Sequence, residues 1–215
     1  MNDMFEEFIK KLSEEIKREL PGFSAQKQMA PLGRKPPLEY LKKGAVPKKS
    51  AVLILLYPES GTIKTVLILR PENEGGNHAG QISFPGGGIH ESDKDLAETA
   101  LREAEEEIGV NRSTIRLIGE LTSLYIPVSN YVVHPFVGVT TDIPEFKIEP
   151  MEVQGLLLIG MNDLMSDNNQ KQVEKYIKLK DATMQVPCYE INGKVIWGAT
   201  AMIIAEFAEI MKRIG

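Results

Sequence analysis

A single cysteine, Cys188, among 215 residues excludes an internal disulfide framework and suits a reducing compartment, and a lone thiol of this kind is ordinarily a core residue. Long apolar runs are also missing. The longest uninterrupted one, from Ala51 to Tyr57, falls far short of the roughly 20 residues that cross a bilayer, and the acidic N-terminus does not read as a signal peptide. A cytoplasmic protein with no membrane partner is expected. There is no excess of basic charge either: 25 Lys and Arg against 30 Asp and Glu leave a net charge of −5, which argues against sequence-independent nucleic-acid binding but leaves room for a nucleotide held through a metal ion. The three histidines include no pair at zinc-ligand spacing. His90 is expected at the surface and His134 in a buried strand position. Internal repeats and low-complexity tracts are absent.

What is present is enough for one well-buried domain, with 42% hydrophobic and 26% charged residues. Its most informative stretch runs from Gly86 to Val110. Leu96, Ala97, Ala100, Leu101, Ala104 and Ile108 recur with helical period, Ser92-x-x-Asp95 reads as a capping box, and Gly109 fits the C-terminal stop. On that helix Glu103, Glu106 and Glu107 stand at i, i+3 and i+4, within an arc of about 100°. Like charges so placed repel and weaken an isolated helix. A divalent cation removes that cost, and an all-oxygen donor set suits Mg²⁺ or Mn²⁺. Just upstream, Phe84-Pro85-Gly86-Gly87-Gly88 reads as a strand end entering a glycine loop whose bare backbone can approach a metal or a phosphate closely.

The remaining pattern mixes strands and helices. Asp3-x-x-Glu6 opens an amphipathic helix with Phe5, Phe8, Ile9, Leu12, Ile16 and Leu20 on one face, ended by Pro21-Gly22. Residues 21 to 50 carry five prolines and seven Lys or Arg against one acid, which reads as an extended, solvated basic connector. A hairpin follows, 50 to 57 and 62 to 69 joined by Pro58-Glu59-Ser60-Gly61, then strands at 114 to 122 and 131 to 140, an apolar run at 153 to 160, and strands near 175 to 190. A helical turn lies at 162 to 165, and a closing helix over about 198 to 213 completes an α/β chain, expected to fold as an α/β/α sandwich with a mixed β-sheet and an added N-terminal helix. Residues 1–48 are assigned to that helix and the connector, and 49–215 to the main domain. The helix could pack on the core or pair a homodimer.

The sequence Gly88, then Arg102-Glu103-Ala104-Glu105-Glu106-Glu107-Ile108-Gly109-Val110, resembles the box of the Nudix hydrolases, with Lys94 where that box has its first Glu. The likeness extends over about residues 50 to 205 and is nearest the branch that cleaves coenzyme A, through Leu67-Ile68-Leu69-Arg70, His78-Ala79-Gly80-Gln81-Ile82-Ser83-Phe84-Pro85-Gly86-Gly87, Glu149-Pro150-Met151-Glu152-Val153 and Trp197-Gly198-Ala199-Thr200. It departs at Ile68, at Pro71 and at Gly76, where that branch carries Thr, Ser or Ala, and a second Arg. The resemblance implies that Glu103, Glu106 and Glu107 bind metal with a carbonyl from the Gly87 region, that Arg102 orients them, and that Glu152 touches metal or water. Arg70, His78 and Gly86 are the candidate substrate contacts.

The expected reaction is hydrolysis of a diphosphate linkage in a small nucleotide derivative, for coenzyme A or an acyl-CoA to 3′,5′-ADP and a 4′-phosphopantetheine compound. ADP-ribose or another nucleoside diphosphate derivative is the alternative substrate. A Nudix-fold module that binds a nucleotide without cleaving it is the other, and the presence of all three box glutamates weighs against it.

Overall fold

A computed structural model describes residues 2–41, 46–72, 79–177 and 181–215. The fold is organised on one long strand, β1 (Lys48–Glu59), whose apolar run lies between two helical layers. Its turn into β2 (Thr62–Leu69) has Ser60 at φ 52° and Gly61 at φ 78°, the two left-handed residues of a tight hairpin. The N-terminal half of β1 pairs antiparallel with β4 (Gly86–Gly88), whereas most of its length runs parallel to β7 (Tyr131–Val139), from Lys48↔Tyr131 to Leu56↔Val139. Outside β2 lie β3 (Ile82–Ser83) and β8 (Gly155–Gly160); outside β7 lie β5 (Arg116–Glu120) and β6 (Leu124–Ile126), with a bulge between Leu117 and Gly119.

Alternation along β1 divides the core. Ala51, Leu53, Leu55 and Tyr57 pack with Ala100, Ala104 and Ile108 of α4 (Leu96–Ile108), while Ile54 and Leu56 pack on the other face with α1 (Asn2–Ile16) and α6 (Gly198–Ile214). A strand covered on both faces needs apolar residues at every position, which is why this run does not alternate. Each of its fully buried Leu and Ile side chains contributes about 1.5–3 kcal/mol. The small Ala100 and Ala104 let α4 lie close to the sheet. The expected α/β/α sandwich with mixed sheet is therefore the architecture found. A second sheet, in the order β11 (Lys194–Trp197), β10 (Ala182–Ile191), β9 (Gln170–Ile177), follows the short α5 (Met161–Met165).

The N-terminal segment departs from the sequence reading. Helix α1 stops at Ile16 rather than at Pro21, with the adjoining Glu15 clamped by Arg18 and Arg213. The connector is not an extended linker: it forms α2 (Phe23–Gln26), a 3₁₀ turn (Lys27–Met29) and α3 (Pro37–Leu41), and its first part buries Ala25, Gln26 and Met29, whereas Leu32, Val46 and Lys49 stay exposed. Its anchor is Glu206 in α6, which is wholly buried and accepts hydrogen bonds from the Gly22 backbone N–H (3.1 Å), Gln26 Nε2 (2.9 Å) and the Thr122 backbone N–H (3.3 Å). A polar group this deep requires such donors. They make the connector part of the core that α1 and α6 share.

Candidate active site

The site is set by how α4 starts and stops. Its N-cap is Asp95, whose side chain accepts from the Glu98 backbone N–H at 2.8 Å, while Glu98 Oε2 accepts from the Lys94 backbone N–H at 2.9 Å; Ser92 instead meets the His90 ring at 2.8 Å. Gly109 ends the helix at φ 71°, and a Cβ there would fall 2.7 Å from the Lys147 carbonyl oxygen. That proximity matters because residues 147–149 fold back over the helix end: Lys147 N–H donates to Ile108 O (2.9 Å) and Glu149 N–H to Glu107 O (3.0 Å), satisfying terminal carbonyls of α4. The turn Glu149–Val153 then presents Glu152 to the helix, with Val153 buried beneath it.

The result is a cluster in which Glu103, Glu107 and Glu152 each offer an oxygen, all within 4.8 Å of one another. Glu107 is 1% exposed and receives the Gly86 backbone N–H at 2.7 Å, with Arg70 Nη1 at 3.7 Å. Burial pushes its carboxyl up to about 8, only partly offset by the Gly86 N–H and Arg70, while the charges of Glu103 and Glu152 add to the rise. Burial likewise raises Glu103, against the downward pull of Arg102. Both shifts have the same leading cause, burial of the carboxyl, to which the charges of the neighbouring glutamates add.

The glycines read from sequence as a loop are instead strand β4, held on β1, and they make room for the carboxylates. Gly86 sits at φ 150°, and a Cβ would stand 2.3 Å from the Ala51 carbonyl oxygen; at Gly87 a Cβ would reach the Glu103 carboxylate, with its nearest oxygen at 2.4 Å. At Gly86 only bare backbone fits, and at Gly87 a side chain would push the Glu103 carboxylate out of place. Gly87 is thus beside the cluster as expected, whereas the Gly86 N–H, a candidate substrate contact, is engaged in holding Glu107.

Glu106 is not brought into the cluster. Its carboxylate pairs with Arg102 Nη1 at 2.7 Å and is more than half exposed. Arg102 is the hub of the acidic edge: it also donates to Glu103 Oε1 (2.9 Å), to the Gly88 carbonyl (3.2 Å) and, through Nε and Nη2, to both oxygens of Asp93 (2.8 and 3.0 Å). Asp93 therefore supplies a carboxylate beside Lys94, and it serves Arg102 rather than the glutamate cluster. The guanidinium holds its carboxyl well below the usual range. Helical spacing gave no hint of this role, since Asp93 precedes the helix.

Other candidates divide as follows. Arg70 lies at the cluster through Glu107, and His78 falls outside the described residues. His90 is exposed as expected, whereas His134 is only half-buried, with Nδ1 2.7 Å from Glu120 Oε1. Cys188 is buried. No helix among the described residues is long and apolar enough to cross a membrane.

The donor set fits a hard divalent cation: three converging carboxylates, one of them deeply buried, beside backbone with no side chain in the way. The NUDIX domain matches residues 47–179. An uncharacterized Nudix hydrolase, NudL, of Yersinia pestis is 35% identical over 168 residues, spanning 77% of this chain and 80% of the relative; its counterpart in Yersinia pseudotuberculosis gives the same values. Among solved structures, a MutT/nudix family protein from Enterococcus faecalis shares the fold at a TM-score of 0.52 with 15% identity, over 94% of this chain and 73% of that one. Since the domain match alone takes in more than half of the sequence, the chain belongs to the Nudix family and is a Nudix hydrolase.

Proposed function

We propose that this hydrolase, acting on nucleotide diphosphate derivatives, takes coenzyme A or an acyl-CoA as its substrate and releases 3′,5′-ADP and a 4′-phosphopantetheine compound. The observation that carries the metal-dependent part of the reading is the convergence of Glu103, Glu107 and Glu152 within 4.8 Å beside Gly87. The preference for coenzyme A is supported by the sequence from Ala79 to Gly87 and by Glu149 to Val153, together with Arg70 at the cluster's edge. A reducing cytoplasm is the proposed setting.

Glu103, Glu107 and Glu152 would hold Mg²⁺ or Mn²⁺, and the Gly87 carbonyl and Glu106 are proposed to join the set when the substrate is present. A divalent cation there neutralises phosphate oxygens and makes an attacking water more acidic. The protein's own groups do the rest. Arg102 keeps Glu103 and Glu106 in one orientation. Arg70, with two donor edges, takes phosphate oxygens in pairs. Glu152, the most exposed carboxylate of the three, accepts the proton as water attacks phosphorus in line and the bridging P–O bond breaks, since an acceptor must lie within hydrogen-bond reach of that water.

The test is product analysis after incubation with Mg²⁺ or Mn²⁺ and coenzyme A, its acyl forms, ADP-ribose or dinucleoside polyphosphates. Preferred release of 3′,5′-ADP from coenzyme A is expected. Preferred cleavage of ADP-ribose would remove the coenzyme A assignment, and no cleavage of any compound would leave a binding module.

A further inference from the structure

Register places a second group of polar side chains on the face of the sheet that carries the glutamates. A Cβ on Gly87 would point at Glu103, so that side of β4 faces α4. Gly87 pairs with Ala51, and Ala51 packs against α4; Ala51 in turn pairs with His134 of β7. Paired residues share a face, so His134 stands on the α4 side, as does Phe136 two residues on, which packs into the same apolar cluster. Glu120, opposite Phe136 on β5, lies there too. So does Lys49, two residues before Ala51.

Helix α4 packs on Ala51, Leu53 and Leu55, while the more distant Lys49 and His134 keep access to solvent. Lys49 is exposed and His134 is 21% exposed on its side chain. Two strand spacings separate Gly87 from His134, about 10 Å, and Lys49 is a diagonal neighbour of His134, about 7–8 Å away. The Glu120 carboxylate can only accept, so Nδ1 of His134 carries the proton in their 2.7 Å contact. That fixes the ring and turns Nε2 away from Glu120. Among the described residues, no ion pair involves Lys49, and Glu120 is the only recorded partner of the imidazole.

Resting on the coenzyme A reading, we infer that Lys49 and His134, the latter oriented by Glu120, form a subsite for a phosphate monoester on the nucleotide's ribose, beside the carboxylates that face the diphosphate. The position suits it: a diphosphate at the cluster and a ribose beyond it place a 3′-phosphate on neighbouring strands, where Lys49 supplies a point charge and Nε2 of His134 a directional donor. A nucleoside diphosphate without that phosphate leaves the subsite unfilled. Glu120 is a positioning residue here, because it acts through the ring.

The experiment measures binding of 3′,5′-ADP and of AMP, which differ only in the 3′-phosphate, to the full chain with Mg²⁺, for wild type, Lys49→Gln, His134→Gln and the charge-keeping Lys49→Arg. Wild type should prefer 3′,5′-ADP by about tenfold or more. Lys49→Gln and His134→Gln should bring that ratio towards one with AMP affinity nearly constant, and Lys49→Arg should retain most of it. Equal weakening of both ligands would show a merely structural role, and no wild-type preference, or an unchanged ratio in both Gln variants, would likewise overturn the subsite. The outcome does not depend on turnover, so failure of coenzyme A cleavage would count against the proposed reaction, while the binding ratio still decides the subsite.

Discussion

Replacing Glu107 with Gln should make the metal-free protein more stable while abolishing turnover. The carboxyl is 1% exposed and is held up at about 8, against an ordinary glutamate value of 4.5. Between those values the unfolded chain is ionised and the folded chain still carries the proton. Stability from this group is therefore highest below pH 4.5, falls as pH rises through the interval, and levels off above pH 8. The full interval is worth up to about 5 kcal/mol at roughly 1.4 kcal/mol per pH unit; water entry and shared titration with Glu103 reduce that to about 2–4 kcal/mol. Gln keeps the shape and can still accept the Gly86 N–H through its amide oxygen, so it removes the charge without opening a cavity. Thermal unfolding in a chelator from pH 5 to 9 measures the effect. At about 2–4 °C per kcal/mol for a chain of this size, the variant should melt at nearly the wild-type temperature at pH 5 and roughly 5–15 °C above it at pH 8. A difference that stays constant across that range would refute the reasoning, since every other titrating group is common to both proteins.

Gly86→Ala should destabilise by about 3 kcal/mol or more and cost most activity, because its Cβ would lie 2.3 Å from the Ala51 carbonyl oxygen at a φ of 150° and the displaced N–H would leave Glu107; unfolding and rate measurements would show both. Arg102→Lys keeps the charge but not the fork that binds both oxygens of Asp93, and kcat should fall about 10–100-fold with little change in melting, so undiminished kcat would rule out its orienting role. Glu206→Met strips the acceptor from Gly22, Gln26 and Thr122, and urea unfolding should show a loss of about 2–4 kcal/mol; a neutral result would mean the connector is not anchored there.

The parts of the fold that could be read from sequence are those written in local periods. The apolar stripe of α4, its glycine stop, the β1–β2 hairpin and the closing helix all follow from spacing and turn residues. Cap choice did not follow: Ser92 and Asp95 each precede an acid by three residues, and only the fold shows that Asp95 is used. The strands β6 and β11 have three and four residues, too short for a period to register. Connector burial depends on Gln26 meeting Glu206, 180 positions away, a contact that proline and lysine content cannot reveal. In the site, the i, i+4 pair Glu103 and Glu107 converges as the helix geometry requires. Glu106, whose spacing places it equally well, is drawn to the flank by Arg102, which Asp93 holds from outside the helix. Pairing with Arg102, itself held by Asp93 from outside the helix, decided what the helical wheel left open.

The most direct test of the metal-dependent site is a Mn²⁺ titration followed by electron paramagnetic resonance, run beside turnover, for wild type, Glu103→Gln and Glu107→Gln. Wild type should bind Mn²⁺ over the concentration range that activates hydrolysis, and both variants should lose binding and turnover together while remaining folded. Undiminished Mn²⁺ binding and hydrolysis in both variants would contradict the account.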